Sequence, residues 1–415
     1  MKILIYGLNF SPELTGIGKY TGEMADWLSE RGHEVQVITS PPYYPSWKIG
    51  RGYSKWKYFK EKFNNNVSVV RCPLWVPETP KTITRMIHLL SFTLSGAPIL
   101  LKALFFWRPA IAICIAPSFF YAPQAALLCK IAGVENWLHF QDFEICSMFG
   151  AGMVKGQGIN NIAHHLQSFI TRRFNTISTI SKTMCASAEK RNVSNKNIVL
   201  FPNWVDVDFM TPEADRSYFR RKWGINDKTK VILYSGNLGK KQGLENIVHS
   251  AYTLRQRKDI LFLIVGDGVE KNALINQCKE YEGLNIQFHP LQPYELLPEL
   301  LCMADIHLVI QKSGVADAVF PSKFTNILAV GGYSIITAAP NTELGQLVLQ
   351  NPNMASLIEP DNSQLLTSTI RDLSNNGSVI RQFNKYARKY AVENLSKERI
   401  LARFEENLKY NCKKK

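Results

Sequence analysis

The chain has 415 residues, which is enough for two domains. Its residues are 46% apolar and 20% charged, a composition that indicates a soluble globular protein. The net charge of +15 predicts an anionic partner, which is a phosphorylated ligand, an anionic membrane surface or a nucleic acid. Because the basic residues are spread along the chain and form no nucleic-acid-binding module, we expect no nucleic-acid partner.

The eight cysteines form neither a C-x-x-C pair nor the spacing of a metal site, and most lie in apolar stretches. This pattern favours a reducing compartment. The N-terminal residues run directly from an apolar strand into a glycine loop, which is not typical of a signal peptide. We therefore expect a cytoplasmic protein.

The first predicted elements are a buried strand at residues 2–7, a loop with Gly16 and Gly18, a helix at 19–30 and a strand at 33–39. This order is typical of a Rossmann-type unit, in which a glycine loop brings backbone close to a phosphate. A tight strand-to-helix turn would need the same glycines. The second strand ends in Thr39 without an acidic residue, which argues against NAD as the ligand.

Residues 41–80 are predicted to be irregular, and their many aromatic residues favour either a binding loop or simple loop packing. The next stretch, residues 81–108, is mostly apolar and has basic residues at both ends. Gly96 and Pro98 interrupt it, and it is too short to span a membrane. It predicts a helix that lies in a membrane interface, with two core helices as the alternative.

A continuous apolar strand is predicted at residues 110–116, a helix at 119–132 and a strand at 136–144 that ends in polar residues. His139 and Asp142 are therefore predicted to lie at the carboxyl edge of the sheet, where α/β folds bind ligands. A purely structural histidine at a strand end is the alternative for His139. A helix at 162–174 and strands at 175–181 and 197–203 follow.

A second α/β series begins at residue 230, with strands near 231–236, 260–266, 285–290 and 305–311. Two Rossmann-like halves result. We expect an N-terminal domain at residues 1–203, a C-terminal domain at 204–390, and a C-terminal helix with a basic tail at 391–415.

Residues 320–332 follow the strand at 305–311 and predict a short helix with an anion site at its N-terminus. Pro321 suits the first helical turn. Ser322 and Lys323 would then add a hydroxyl and an ammonium to the free N–H groups and the dipole of that helix end. Gly331 and Gly332 end the helix. An ordinary capped helix with a solvated lysine is the alternative.

The order of these motifs resembles that of the GT-B glycosyltransferases of family 4 over nearly the whole chain. The matching residues are Gly16-Ile17-Gly18, Pro202-Asn203-Trp204-Val205-Asp206, the segment from Gly236 through Lys241 to Gly243, Gly266-Asp267-Gly268 and residues 321–332. The resemblance implies an α/β fold with two Rossmann-like domains that face a central cleft. It also implies sugar transfer from a nucleotide sugar with retention of configuration. Residues 9–23, 41–45, 236–245 and 320–323 resemble more closely the colanic acid (exopolysaccharide) enzymes assigned as fucosyltransferases, which implies GDP-fucose.

The resemblance also implies roles for single residues in donor binding. Gly16 and Gly18 match the glycine loop near the donor diphosphate, and Lys241 matches one member of the family's basic pair. The other member, an arginine, is replaced here by Asn237, and Lys323 is expected to supply the missing charge.

Two carboxylates of the family are not intact in this sequence. Asn326 stands in place of the second glutamate of a family pair, and near the first lies only Asp317. Asn326 and Glu343 are the candidates for contacts to the ribose or the sugar. His139 and Asp142 match acceptor-side polar residues of the family.

In the expected reaction, Lys241, Ser322 and Lys323 stabilise the leaving diphosphate, and Asp142 or His139 orients or deprotonates the acceptor hydroxyl. We expect no metal and no other cofactor. The expected acceptor is a lipid-linked saccharide, and the protein is expected to attach peripherally to the anionic cytoplasmic face of a bacterial inner membrane. A sugar-nucleotide epimerase and a non-catalytic nucleotide-sugar-binding subunit are the alternatives.

Overall fold

The computed structural model describes residues 1–13, 16–64, 66–116, 120–141, 168–190, 197–314, 321–376 and 383–413. The chain divides into two compact units, Met1–Pro202 with Leu401–Lys415, and Asn203–Ile400. The predicted boundary after residue 203 lies one residue from this division. The predicted C-terminal segment 391–415 is not separate, because residues 391–400 belong to the second unit and residues 401–415 to the first.

A sheet of eight strands organises the first unit. The strands are β1 (Lys2–Tyr6), β2 (Glu34–Thr39), β3 (Phe59–Asn64), β4 (Val67–Arg71), β5 (Ile111–Ala116), β6 (Glu135–Phe140), β7 (Thr176–Thr179) and β8 (Asn197–Leu200). Their order is β3-β4-β2-β1-β5-β6-β7-β8, and every pair is parallel except β3–β4. Strands β5 and β6 are buried along their whole length, which the apolar run predicts for β5 alone.

Four helices of the first unit alternate with these strands along the described sequence. They are α1 (Gly16–Glu30), α2 (Thr82–Lys102), α3 (Tyr121–Ala132) and α4 (Lys182–Lys190). The prediction of an irregular segment at 41–80 is wrong for β3 and β4, which form an antiparallel hairpin. Strand β3 is mostly exposed and polar, so no hydrophobic pattern marks it in the sequence.

Helix α2 runs without a break through both residues that were expected to interrupt it. Gly96 lies where a Cβ atom would be 2.6 Å from the Tyr6 hydroxyl, so it is needed for close packing on β1. Pro98 is on the exposed side of the helix, where water can satisfy the carbonyl that loses its donor. A π-helical turn, Ala103–Trp107, continues α2, and Arg108 ends it with a left-handed φ of 56°.

The second unit contains a fully parallel sheet of six strands in the order β11-β10-β9-β12-β13-β14. The strands are β9 (Lys230–Ser235), β10 (Ile260–Val265), β11 (Ile286–His289), β12 (Ile306–Val309), β13 (Ser334–Thr337) and β14 (Ala355–Ile358). The helices are α5 (Tyr218–Lys222), α6 (Glu245–Thr253), α7 (Lys271–Lys279), α8 (Leu297–Cys302), α9 (Ser322–Ala329), α10 (Glu343–Gln350), α11 (Ser363–Asn375) and α12 (Lys385–Tyr390). Because all six strands are parallel, the loops that follow them meet at one edge of the sheet.

The last helix, α13 (Lys397–Lys413), is a structural part of the first unit from residue 401 onward. Glu405 is buried and lies 2.8 Å from Nε2 of His33 and 2.5 Å from Nζ of Lys409. The Phe404 ring stacks on Phe201 with 4.0 Å between the ring centroids. This helix is therefore anchored in the core.

Candidate active site

Two glycine loops lie against each other at the carboxyl edge of the second sheet. They follow the neighbouring strands β9 and β10. A Cβ atom on Gly266 would be 2.0 Å from the carbonyl oxygen of Gly236, and one on Gly268 would be 2.3 Å from that of Leu238. Because real Cβ atoms do not approach this closely, only glycine permits the contact. The two loops therefore pack directly against each other through their backbones.

The N-terminus of α9 lies at the same edge, after β12. Pro321 has φ −65° and ψ 120° and is the N-cap, so the prediction that it occupies the first helical turn is wrong by one residue. Its side chain makes no cap, and among the first N–H groups that of Phe324 donates to the Pro321 carbonyl at 2.9 Å, while those of Ser322 and Lys323 have no intrahelical partner. Ser322 is exposed on this first turn. The arrangement is that of an anion site at a helix end.

The end of α9 is as predicted. Gly331 has φ 68°, and its N–H donates to the Leu328 carbonyl at 3.0 Å. The N–H of Gly332 donates to the Ile327 carbonyl at 2.9 Å. This pair of hydrogen bonds is a Schellman motif.

Lys323 is held between α9 and the first glycine loop. Its Nζ lies 4.1 Å from the centroid of the Tyr234 ring, at the end of β9. Its Cδ is 3.9 Å from the point where a Cβ on Gly236 would be. Tyr234 is fixed in turn, since its hydroxyl donates to the Asn237 carbonyl at 2.7 Å. Lys323 therefore sits over the glycine loop on an aromatic support that the sequence did not reveal.

The electrostatic state of Lys323 is unusual. Burial lowers the pKa of its ammonium group to about 7. Within the part of the chain that the structure describes, Lys323 makes no ion pair. A dianionic ligand nearby would favour the charged form and raise this pKa again. Lys323 is thus a side chain that an anionic ligand would hold in its charged, protonated form.

Lys241 lies at the same edge, in the loop after β9, and is exposed. Its carbonyl accepts the N–H of Lys312 at 2.9 Å, which ties this loop to the residues after β12. Lys312 itself is neutralised by Glu245, with 2.6 Å between Nζ and Oε1. Lys241 has no carboxylate partner among the described residues. The fold thus brings the two predicted diphosphate cations, Lys241 and Lys323, to one edge.

Asn326 and Glu343, the predicted ribose or sugar contacts, also follow strands at this edge. Asn326 is half-buried one turn after Ser322, and its amide has no hydrogen-bond partner in the described ranges. Glu343 is half-buried and begins α10 after β13. Burial, and next the charge of Glu343, raise the pKa of Tyr390, so the carboxylate lies near that phenol. Asp317 lies outside the described residues.

The two glycines in the glycine loop of the first unit have different surroundings. Gly16 begins α1 with φ 59°, and no atom of the described residues lies within 4 Å of an added Cβ. A Cβ on Gly18 would be 2.6 Å from the Cβ of Glu13. Gly16 therefore fits the predicted backbone approach to a phosphate, whereas Gly18 is required for the packing of Glu13.

Glu13 is a support of this loop that the sequence analysis missed. It is buried, and its Oε1 accepts the N–H groups of Tyr43 and Tyr44, each at 3.0 Å. Its Oε2 accepts from Asn9 at 2.9 Å. Burial raises the pKa of this carboxyl despite these bonds. Glu13 thereby connects the glycine loop to the loop that follows β2.

Arg71 supports the same two loops and was also missed. It is 1% exposed and donates to the Ser11 carbonyl at 2.6 Å and to the Ser40 carbonyl at 3.0 Å. Its Nε is 2.6 Å from Glu61. A charged residue at the end of a strand gives no sequence signal that it is buried, so neither support was predictable from its own position.

The structure places His139, the predicted catalytic residue, inside β6. It is 2% exposed within β6, with Nδ1 2.8 Å from the Ser178 hydroxyl and the ring 4.9 Å from that of Phe201. Burial lowers its pKa to about 3, so the ring is neutral at physiological pH. Trp137, two residues earlier and on the same face, packs on Phe404 of α13. Its Nε2 is also buried but has no hydrogen-bond partner among the described residues, so the ring is not a fully satisfied structural histidine, and its catalytic role stays a prediction.

The other predicted acceptor residue, Asp142, lies outside the described residues. Asp206 and Asp208 have the spacing of an Asp-x-Asp metal motif, a pattern that the sequence analysis passed over. In the structure Oδ1 of Asp206 accepts the N–H groups of Asp208 and Phe209, at 3.1 and 2.9 Å. This is an Asx turn at a domain boundary, and it accounts for the pattern structurally.

Known proteins are similar to this chain over nearly its whole length. Residues 15–204 match the model of the glycosyl transferase 4-like domain, and residues 215–390 match that of the glycosyl transferases group 1. A protein of Escherichia coli K12, assigned to colanic acid biosynthesis as the glycosyl transferase WcaI, is 44% identical over 410 residues, which is 97% of this chain and 98% of that protein.

Solved structures show the same fold at low sequence identity. Sucrose-phosphate synthase from Thermosynechococcus elongatus superimposes with a TM-score of 0.74 at 14% identity, over 99% of this chain and 98% of that one. Anabaena HepE in complex with UDP gives a TM-score of 0.68 at 14% identity, over 99% and 100% of the two chains.

Two α/β units with parallel sheets, their glycine loops and these relatives define one class of protein. The chain belongs to the GT-B glycosyltransferases of family 4. The prediction of the fold class and of a glycosyltransferase is thus confirmed, and the epimerase and the non-catalytic subunit are set aside.

Proposed function

We propose that the enzyme transfers fucose from GDP-fucose to a hydroxyl of a lipid-linked saccharide during the synthesis of a bacterial exopolysaccharide of the colanic acid type. One observation carries the donor part of this proposal. Lys323 lies on the Tyr234 ring beside Gly236, at the open N-terminus of α9 and without a carboxylate partner in the described residues. This is a site for a doubly charged, diphosphate-like group.

The chemistry follows from the charge that develops during transfer. The bond between the anomeric carbon and the diphosphate oxygen breaks, and its electron pair leaves with the diphosphate. Lys241, Lys323 and the N–H groups of α9 stabilise that charge. The acceptor oxygen forms the new bond and loses its proton to a base, a role that we propose for Asp142 since His139 is buried. We propose retention of configuration and no metal or other cofactor.

Two comparisons support the choice of substrates. Anabaena HepE, which shares the fold, has been crystallised with UDP and with UDP-glucose, so this fold accommodates a nucleotide sugar. The relative that is 44% identical is assigned to colanic acid biosynthesis. Fucose and guanine come from the resemblance of residues 9–23 and 236–245 to enzymes assigned as fucosyltransferases.

The acceptor and the location belong to the same proposal. Polysaccharide units are assembled on lipid carriers, so we propose that the acceptor is presented at the inner face of the cytoplasmic membrane. The enzyme would then be cytoplasmic and peripherally attached to an anionic membrane surface. The net charge of +15 supports this attachment.

A thermal-shift screen against GDP-, UDP-, ADP- and dTDP-sugars tests the donor site, because a ligand that binds the native state raises its melting temperature. We expect a shift with GDP-fucose that disappears in Lys323→Ala. Lys279→Ala, an exposed lysine at the far end of α7, is the matched control and should keep the shift. A shift only with UDP-sugars would refute fucose, and an unchanged shift in Lys323→Ala would refute the donor site. Product analysis with GDP-fucose and a membrane extract tests the acceptor.

A further inference from the structure

The outward side of helix α2 is apolar along its entire length. The exposed stripe contains Ile83, Ile87, Leu90, Leu94, Leu101 and Phe105, spaced by three, four or seven residues. Ile83 is 72% and Leu94 66% exposed. A surface helix of a soluble protein normally presents charged and polar residues on this side. From residue 83 to 105 the stripe extends about 33 Å at 1.5 Å per residue.

The opposite side of the same helix is part of the core. Phe92 is fully buried and contacts the rings of Tyr6 and Tyr121, with centroid distances of 5.5 and 5.3 Å. The stretch Ile83–Trp107 is the one segment of the described residues that is long and apolar enough to cross a membrane, and 39% of its most apolar part is buried. Because its inner side packs on the sheet, the helix lies along the surface of the unit and does not leave it.

Two neighbouring elements extend the stripe into a surface. Helix α3 packs against α2 and exposes Leu127 and Ile131, one turn apart, by 57% and 63%. On the other side, the Tyr58 hydroxyl donates to the Ser95 carbonyl of α2 at 2.8 Å, which brings the loop with Trp56 alongside. Trp56 is 70% exposed. The stripe on α2, the exposed Phe106 beside Phe105, this turn of α3 and this loop together are called the apolar face below.

The charge around the apolar face is mainly positive, with Glu34, which accepts a hydrogen bond from Trp107 Nε1 at 2.8 Å, and the exposed Glu78 as carboxylates near its ends. The sequence contains no aspartate or glutamate between Glu78 and Glu135. Exposed basic residues border the face at both ends of α2, on α3 and in the loop beside it: Lys81, Lys102, Arg108, Lys130, Lys55 and Lys57. Two copies of such a face would repel each other, which argues against a homodimer. An anionic lipid surface complements both the charge and the apolar stripe.

We infer that the apolar face docks the first unit on an anionic bilayer, with α2 lying in the interface and its stripe inserted among the acyl chains. A long apolar helix side, exposed Trp and Tyr at its margin and a basic border are the features that interfacial binding uses. The inference deepens the proposed function, since it names the surface through which an enzyme for a lipid-linked acceptor reaches the membrane. Vesicle binding itself requires neither donor nor turnover.

The test is co-sedimentation of the full-length protein with vesicles of phosphatidylcholine containing about one third phosphatidylglycerol, compared with phosphatidylcholine alone. We expect strong binding to the anionic vesicles, weak binding to the neutral ones, and release as salt is raised. The double variant Leu94→Glu/Phe106→Glu should lose at least tenfold in partition coefficient. Phe106 is 84% exposed, so its replacement should leave the fold intact, which a thermal melt checks.

Two further variants separate the contribution of the apolar stripe to vesicle binding from that of the basic residues and from a nonspecific effect of an added glutamate. Leu349→Glu changes a leucine that is 53% exposed on α10, outside the apolar face, and should bind vesicles like the wild type. Lys102→Gln/Arg108→Gln keeps the stripe but should lose the preference for anionic lipid. Equal binding of the Leu94→Glu/Phe106→Glu variant and the wild type would overturn the inference. Loss of a wild-type dimer in that variant, without any vesicle binding by the wild type, would assign the face to self-association instead.

The same proteins distinguish failure of this inference from failure of the proposed function. The Leu94→Glu/Phe106→Glu variant should retain the thermal shift with its nucleotide sugar, because both residues lie in the first unit and the donor cations in the second. Vesicle binding without any nucleotide-sugar shift would uphold the docking face and reject the donor site. The reverse result would reject the face alone.

Discussion

The low pKa of Lys323 predicts that donor binding takes up a proton. In the structure without ligand the pKa of this ammonium group is about 7, since the half-buried side chain lies over Tyr234 and Gly236 with no carboxylate partner in the described residues. At pH 6 about nine tenths of the molecules carry the charge, and at pH 8 about one tenth. The diphosphate of a nucleotide sugar stays fully ionised over this range, so Lys323 is the group that changes.

The magnitude follows from the fraction of binding-competent enzyme. If the diphosphate binds the charged form, the apparent dissociation constant rises about tenfold from pH 6 to pH 8. The sign follows from the lowered pKa: the cation is present below pH 7 and is lost as the pH rises through that value. At pH 7.5 about three quarters of the free enzyme is uncharged, so binding should take up about 0.8 proton per donor.

Titration calorimetry with the nucleotide sugar in buffers of different ionisation enthalpy measures this uptake directly. In Lys323→Ala we expect no uptake from this site, an affinity that is independent of pH, and a loss at pH 6 of about 1.5–3 kcal/mol for a charge-assisted contact. Lys323→Arg remains charged and should bind with a flat pH profile. Lys279→Ala should behave as the wild type. Constant wild-type affinity between pH 6 and pH 8 without proton uptake would refute the reasoning, as would uptake that persists in Lys323→Ala.

Three further predictions concern the supports of the two sheets. Asp305→Asn should lower the free energy of unfolding in urea by about 3–5 kcal/mol, because it leaves the buried Arg220 without its charge partner at 2.7 Å; Asp215→Asn, in an exposed pair, should change it little. Gly266→Ala should cost about 1–3 kcal/mol in the same assay and abolish the donor-induced thermal shift, because its Cβ would meet a carbonyl oxygen at 2.0 Å. Glu13→Gln should cost about 1–3 kcal/mol, because one amide cannot accept every hydrogen bond that the buried carboxylate accepts. An unchanged urea midpoint in any of the three destabilised variants would contradict the corresponding contact.

The parallel strands could be predicted because burial on both faces gives a continuous apolar run. Strands β5 and β10 are examples, and the glycine loops after β9 and β10 follow from the same pattern. The hairpin strand β3 could not, since it is exposed and held by pairing with β4 rather than by a hydrophobic face. The prediction that Gly96 interrupts α2 was also wrong, because it used local helix propensity alone. The contact that requires glycine there is made by Tyr6, which is ninety residues away in the sequence.

In the candidate site too, features set by neighbouring residues could be predicted, whereas contacts between residues far apart in the sequence could not. Lys323 was predictable because the helix start that positions it is local in sequence. The aromatic support under it was not, because Tyr234 reaches it through the packing of α9 against β9. The surroundings of His139 were not predictable for a related reason. The strand was correct, but its partners Ser178 and Phe201 come from later elements of the chain.

Asn326 in place of the family's glutamate and Lys323 one turn before it have one electrostatic explanation. Residues 323 and 326 are three apart on α9, so a carboxylate at 326 would lie within reach of the ammonium group. It would raise the pKa of Lys323 and compete with the diphosphate for its charge. The uncharged Asn326 leaves that charge to the ligand. Asn326→Glu should therefore reduce proton uptake at pH 7.5 toward zero and weaken donor binding at pH 6, whereas Asn326→Gln should do neither. If calorimetry shows full proton uptake in Asn326→Glu, the two positions are not coupled.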